Sequence, residues 1–180
     1  MVNNSWSGSR VARTPERKAQ FPAACSDERT NGLHYSDVLP DVIIIFMGTN
    51  DWYFNVPLKT GFLSRLGSRA DDTEFSYAYD LMLKKLRTNY PLAEIWCCTL
   101  CEAYIADHPE YKYPWGHTGK PAALFSLAIR KCAARRGCHV IDLEFLHTPY
   151  ESLDGAHPTA AGMTQLADMV CKSMAGCIEA

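Results

Sequence analysis

The stretch DVIIIFMGTND, residues 41–51, decides the fold. From Val42 to Met47 every side chain is apolar, and the first four are β-branched, which favours an extended chain. An unbroken apolar run of this length is typical of a strand that is buried on both faces of a parallel sheet. The run ends at Gly48 and is followed by small polar residues, so we predict a strand over residues 41–48.

Further along the chain, strand-like and helix-like segments alternate. Two more apolar runs predict strands over residues 94–100 and 138–143. Apolar residues at helical spacing predict helices over residues 74–90, 121–136 and 159–174. This alternation predicts an α/β fold in which three parallel strands are neighbours and helices cover both faces. Such sheets bind ligands at the carboxyl ends of their strands, so the residues after each strand are the first candidates for a site.

Composition and charge describe an ordinary globular chain. Of its 180 residues, 47% are hydrophobic and 21% are charged, and the net charge is −2. This near-neutral charge does not favour nucleic-acid binding, and no apolar run approaches the ~20 residues that span a bilayer. The length suits one domain over residues 1–180. Since the N-terminus shows no signal-peptide pattern, we expect a cytoplasmic domain that acts on a small molecule, without a membrane or nucleic-acid partner.

Eight cysteines raise the question of disulfides or a metal site. Several lie in apolar segments, where cysteine is typical of a small buried side chain in a reducing compartment. Cys98 and Cys101 form a CxxC pair, but no second pair completes the four ligands of a structural zinc site. We therefore predict free thiols, no metal and no cofactor. A thiol or metal protein built on this pair and Cys97 is an alternative from a different class.

Three polar segments could carry chemistry. Asn50 follows the first strand, and its amide offers two donors, although it could simply stabilise the turn that ends the strand. Asp154 and His157 flank a glycine turn, where the carboxylate could bind imidazole Nδ1–H and leave Nε2 free as a base. The same segment could be only a loop that leads into the last helix. Gly8 could aim its N–H at an anionic oxygen, or belong to a flexible terminus.

Aromatic side chains are candidates for the wall of a substrate pocket. Trp52 and Tyr53 follow Asn50 closely, and Trp115 lies in a stretch, residues 104–117, that is rich in aromatic residues and histidines. At the carboxyl end of the sheet these rings could stack on a sugar or line an acyl pocket. Alternatively, the stretch is a surface loop that packs on itself.

Taken in order, the three polar segments resemble the SGNH (GDSL-type) hydrolase family of serine esterases. In that family one block contributes a glycine, the next reads GxND and the last reads DxxH. Here Gly8, Gly48-Thr49-Asn50-Asp51 and Asp154-Gly-Ala-His157 are similar to these blocks. The resemblance implies a flavodoxin-like, three-layer α/β/α fold with a parallel sheet. It also implies a lipase-like hydrolase that acts on a small ester, such as an acylated carbohydrate or a lipid.

The resemblance implies a role for each residue. His157 would be the general base for a serine nucleophile, and Asp154 would orient its ring. The Gly8 N–H and the Asn50 amide would stabilise the oxyanion of the tetrahedral intermediate.

One block of the family is missing, because the sequence contains no Gly-Asp-Ser motif to supply the nucleophilic serine. We therefore expect an N-terminally truncated domain that lacks its first strand and first helix, with which a signal peptide could also be lost. The strand edge left open could pair in a homodimer. The alternative is a non-catalytic remnant or fragment that at most binds a small molecule in the same cleft.

Overall fold

The structure, a computed structural model, describes residues 2–14, 21–58, 71–113 and 119–178. Its helices are α1 (Asp27–Asn31), α2 (Thr49–Tyr53), α3 (Phe75–Asn89), α4 (Ala122–Arg136) and α5 (Ala160–Ile178). Its strands are β1 (Val42–Ile45), β2 (Glu94–Cys98), β3 (Ala103–Tyr104), β4 (His139–Ile141) and β5 (Tyr150–Glu151).

Three strands form the main sheet in the order β1-β2-β4, and both pairs are parallel. The register sets Ile44 beside Trp96 and Trp96 beside His139. The prediction that these three strands are parallel neighbours is thereby confirmed. A second, two-stranded parallel sheet joins β3, which follows β2, to β5. Strands of two residues leave no periodic pattern in a sequence, and the sequence did not predict them.

Helices pack on both faces of the main sheet. On one face, sheet residues share a core with α3 and α4 that contains Ile43, Ile45, Ile95, Cys97, Leu83, Phe125 and Ile129. On the other face, the core with α5 contains Trp96, Cys98, Ile141, Leu166 and Met169. These two cores on either side of one sheet make the predicted three-layer α/β/α arrangement, which is confirmed.

One face of β1 differs from the prediction of a strand buried on both faces. Ile43 is buried on the α3–α4 side, whereas Val42 is 46%, Ile44 48% and Phe46 42% exposed. Since Ile44 pairs with Trp96, this exposed row lies on the face that α5 occupies. There α5 packs on β4 and β5. The prediction was wrong for this face of β1, because no described helix covers it.

Cys25, Cys97, Cys98, Cys101 and Cys132 are buried, as expected of small apolar side chains, whereas Cys138 is half-buried and Cys171 is exposed. Cys98 and Cys101 are buried and free, and burial raises the pKa of each thiol to about 12, which keeps both protonated. Within the four described ranges, no group of three or more His, Cys, Asp or Glu side chains is arranged to hold a metal ion. None of the helices in these ranges has the length and apolar character needed to cross a membrane.

Candidate active site

The GTND segment follows β1 at the carboxyl end of the sheet. The sequence predicted a turn here, but Gly48 leads directly into the short helix α2. In this helix, Asn50 Nδ2 donates a hydrogen bond to the carbonyl oxygen of Ser9 at 3.0 Å. Because an amide nitrogen carries two hydrogens, the second remains available for a substrate oxygen. The structure thus brings Asn50 together with the segment that contains Gly8.

Gly8 lies in a tight turn in which Ser9 N donates to Trp6 O at 3.1 Å. Its φ of 79° belongs to the left-handed region, which glycine adopts without steric cost. A Cβ atom at this position would meet nothing within 4 Å. The Cα atom of Gly8 therefore borders open space on the side where a side chain would stand.

The Asp51 side chain, which belongs to α2, binds the same N-terminal segment through hydrogen bonds. The sequence did not suggest this role. The Asp51 side chain is buried, and its two carboxylate oxygens accept the N–H groups of Val11 at 2.9 Å and Ala12 at 3.0 Å. Burial raises the pKa of Asp51 to about 6, against the opposing effect of these two hydrogen bonds. Neighbouring side chains of the GTND segment thus hold residues 9–12 through three hydrogen bonds.

The Asp154–His157 pair has the geometry of a general base with its orienting carboxylate. His157 Nδ1 lies 2.8 Å from Asp154 Oδ2, and the His157 backbone N–H donates to Asp154 Oδ1, also at 2.8 Å. These bonds, the backbone bond first, lower the pKa of Asp154 to about 2. With the carboxylate ionised beside Nδ1, the proton of the neutral ring is held there and Nε2 is left as the basic atom. The His157 side chain is 70% exposed, so Nε2 is accessible.

The small β3–β5 sheet anchors this turn at the carboxyl end of β2. Ser152, directly after β5, donates both its N–H and its hydroxyl to Tyr104 O at 2.8 Å. The same hydroxyl accepts the N–H of Gly155 at 2.9 Å. Tyr150 closes the other side of the turn, since its hydroxyl donates to Ala156 O at 2.7 Å. Ser152 and Tyr150 are both buried, which makes them positioning residues for the His157 turn.

Tyr111 packs directly over the turn. Gly155 has a φ of 90°, and a Cβ atom added there would lie 2.0 Å from the hydroxyl oxygen of Tyr111. Glycine is therefore required at this position both by its backbone conformation and by the neighbouring ring. The sequence placed Tyr111 in the aromatic stretch at this end of the sheet but did not pair it with the Asp154–His157 turn.

The three residues predicted to line the pocket differ in their surroundings. Trp52 is only 3% exposed, stacks on Tyr113 with ring centroids 5.2 Å apart, and donates from Nε1 to Lys120 O. This placement gives Trp52 a packing role and argues against an open pocket wall, since almost none of its ring reaches solvent. Tyr53 is exposed and packs edge-to-face on Phe54, so its contact with substrate stays a prediction. Trp115 lies outside the described residues.

Both halves of the candidate site lie beyond the carboxyl ends of the strands. Asn50 follows β1, and the His157 turn is held by β3, which itself follows β2. We expect the Asn50 and His157 side chains to converge within roughly 10 Å, close enough for a reacting ester group and a nucleophile to fit between them. After this turn, Thr159 Oγ1 accepts the N–H of Gly162 and so caps the start of α5.

Comparison with known proteins shows which family this chain is similar to. A family model described as the GDSL-like lipase/acylhydrolase family matches residues 2–165. The cellulase/esterase CelE of Acetivibrio thermocellus is 32% identical over 83 residues, which cover 41% of this chain and 9% of that protein. The matched part of this chain thus spans less than a tenth of the length of this curated relative.

Solved structures share the fold. One described as a GDSL-like lipase from Bacteroides ovatus superposes with a TM-score of 0.68 at 24% identity, covering 97% of this chain and 71% of that chain. A peptidoglycan O-acetylesterase superposes with a TM-score of 0.56 at 16% identity, covering 85% of this chain and 41% of that chain. Because the family model spans most of the sequence, from before Gly8 to beyond His157, this chain belongs to the GDSL-like lipase/acylhydrolase family.

Proposed function

We propose that this chain supplies the base and the oxyanion donors of a serine esterase for small esters, such as acyl groups on a carbohydrate or lipid. The observation that carries the proposal is the 2.8 Å contact between His157 Nδ1 and Asp154 Oδ2. A histidine held in this way by a carboxylate, with Nε2 exposed, is suited to take a proton from a serine hydroxyl.

In the proposed reaction, a serine hydroxyl attacks the ester carbonyl while His157 Nε2 takes its proton. The free N–H of the Asn50 amide and the backbone N–H of Gly8 stabilise the resulting oxyanion. His157 then gives the proton to the departing alcohol, and water hydrolyses the acyl-enzyme by the same steps. The name of CelE, a cellulase/esterase, supports ester hydrolysis as the reaction class.

A second candidate function is non-catalytic binding of a small molecule in the same cleft. The observation that favours it is the absence of a Gly-Asp-Ser motif from these 180 residues. Ser5, Ser7 and Ser9 do not replace the motif easily, because they belong to the segment that presents the Gly8 N–H. Removal of the nucleophile of a hydrolase triad typically costs on the order of 10⁶ in turnover.

The test compares the 180-residue chain with a chain extended upstream, in its genomic reading frame, to include a Gly-Asp-Ser motif. We expect the 180 residues to show almost no hydrolysis of p-nitrophenyl acetate and no labelling by a fluorophosphonate. The extended chain should show both. Its activity should fall steeply in His157→Ala and by roughly 10²–10³ in Asn50→Ala, but not in His34→Ala, a control at an exposed histidine bound to Ser36 O.

Two outcomes would contradict the proposal. Labelling of Ser5, Ser7 or Ser9 in the 180-residue chain, with ordinary turnover, would place the nucleophile within these residues. An extended chain that carries the motif, folds and remains inactive would favour the non-catalytic alternative.

A further inference from the structure

A cleft of about 670 Å³ opens beside the backbone of Gly8 and Ser9. Its walls include Arg10, Phe54 and Lys85. Gly8 lines this space, but Asn50, Asp154 and His157 do not. Because the cleft begins at the backbone that would hold an ester carbonyl, one arm of a bound ester would extend into it.

Two of the three basic side chains that line the cleft form ion pairs with carboxylates. Arg13 forms an ion pair with Asp72 at 2.7 Å, and Lys85 forms one with Asp27 at 2.7 Å. Arg10, in contrast, has no carboxylate at ion-pair distance among the described residues. The nearby Asp51 already accepts two backbone N–H groups with its two oxygens.

The guanidinium of Arg10 is nevertheless held in one place. It stacks over the ring of Phe54 at 4.3 Å from the centroid, and its Nη1 donates to Thr14 Oγ1 at 3.3 Å. A guanidinium has five N–H donors in a planar fork, so most of them remain for a ligand. Its backbone is also fixed, since the Arg10 carbonyl oxygen accepts the N–H of Ala24 at 2.9 Å.

From this geometry we infer that Arg10 is a specificity-determining residue and that the cleft takes esters carrying a carboxylate on the arm that enters it. The inference rests on the proposed function, which places the ester carbonyl at Gly8 and Asn50. A carboxylate accepts two parallel N–H bonds from a guanidinium, and this pairing is stronger than a bond to a neutral group. Acidic saccharide esters and monoesters of dicarboxylic acids have the required chemistry.

The experiment uses two inert amides, so it needs no catalytic turnover. N-Methylsuccinamate carries a carboxylate, and N-methylsuccinamide carries a neutral carboxamide in its place. Binding of each to the 180-residue chain is measured by ¹H–¹⁵N NMR titration. We expect the anion to bind at least about tenfold more tightly at low salt, with a smaller difference at high salt because the charges are screened.

Three variants locate the preference. Arg10→Gln should equalise the two affinities, and Arg10→Lys should keep part of the preference because it retains the charge but not the planar fork. Arg135→Gln removes the same charge on α4, away from the cleft, and should keep the full preference. Equal affinities in the wild-type chain, or a preference that survives Arg10→Gln in a folded protein, would overturn the inference.

A fourth variant separates this inference from the proposed function. Asn50→Ala should weaken both amides alike, because both place a carbonyl oxygen at the oxyanion donors. If it weakens neither while the anion is still preferred, the proposed carbonyl position is wrong and Arg10 still selects anions. If it weakens both and no preference exists, the carbonyl position stands and the inference about Arg10 fails.

Discussion

At the scale of single residues, Asp51 makes the stability of the protein depend on pH through its bonds to Val11 and Ala12. Burial raises its pKa from the ordinary 3.8 to about 6. Between these values the folded state keeps a proton that the unfolded chain has lost. Stability contributed by this group is therefore fully present below pH 3.8 and is lost as the pH rises through about 6.

The variant Asp51→Asn removes this titration. At pH 4 we expect it to be less stable than the wild type by about 1–3 kcal/mol, because an asparagine oxygen and NH₂ group cannot both accept the N–H groups of Val11 and Ala12. The difference should shrink toward pH 7, where the wild type bears a buried charge. Urea unfolding at four pH values measures it, with the exposed Asp107→Asn as control. A difference that does not depend on pH would contradict this account.

Asp154 shows the opposite shift. Its pKa is lowered to about 2, so the stability it contributes is present above pH 4 and is lost as the pH falls through 2. In His157→Ala the ring bond disappears, but the backbone N–H groups of residues 156 and 157 still bind the carboxylate. We expect the pKa of Asp154 to rise in this variant but to stay below 3.8. A ¹³C NMR titration of the carboxyl group measures it, and an unchanged pKa would show that the ring does not bind Asp154.

Some of these residues could be predicted from the sequence, and others could not. Asp154 and His157 bind each other across three positions, so their pairing is visible in a local pattern. The two hydrogen bonds that Asp51 accepts come from residues about 40 positions away, which no local pattern reveals. For the same reason the sequence could not show that Trp52 stacks on Tyr113 in the interior.

At the scale of elements, both the β3–β5 sheet and the ring of Tyr111 hold the His157 turn. Gly155→Ala should destabilise the protein by more than about 2 kcal/mol, because the added Cβ meets the Tyr111 hydroxyl and must also adopt a positive φ. Combining it with Tyr111→Ala should recover the steric part and leave about 1 kcal/mol of backbone cost. Urea unfolding of the two single variants and the double variant measures this coupling. Additive effects would mean that the ring moves aside freely.

The longer elements follow from the sequence pattern, with shifts of a few residues at their ends. The helix predicted over residues 121–136 is α4, which ends at Gly137 in the left-handed conformation. The helix predicted to end at residue 174 continues in α5 to Ile178. The short elements α2, β3 and β5 were missed, because they owe their conformation to tertiary hydrogen bonds and not to an apolar periodicity.

At the scale of the whole molecule, the order of the strands determines which segments meet at the candidate site and which strand face stays exposed. The order β1-β2-β4 gathers the segments after each strand at one end, which the alternation of strands and helices allowed us to predict. The extent of the domain and the homodimer stay predictions. The prediction that β1 is buried on both faces was wrong. A local apolar run indicates that a strand forms, whereas the burial of each strand face depends on where a helix from another part of the chain packs.

That uncovered face leads to a prediction about association. Among the described residues, only β2 pairs with β1, and the exposed row Val42, Ile44 and Phe46 lies beside the open edge. An edge strand with apolar side chains and no charge in its row is prone to pair with another chain. We therefore expect the 180-residue chain to form a homodimer in sedimentation-velocity experiments at micromolar concentration.

Ile44→Lys should weaken this association at least about tenfold without lowering stability, because lysine on an edge opposes pairing and the side chain is half exposed. Leu92→Lys, a matched change at a loop residue that is 96% exposed, should leave the dimer unaffected. A wild-type chain that stays monomeric, or equal effects of the two lysines, would show that β1 is not the contact.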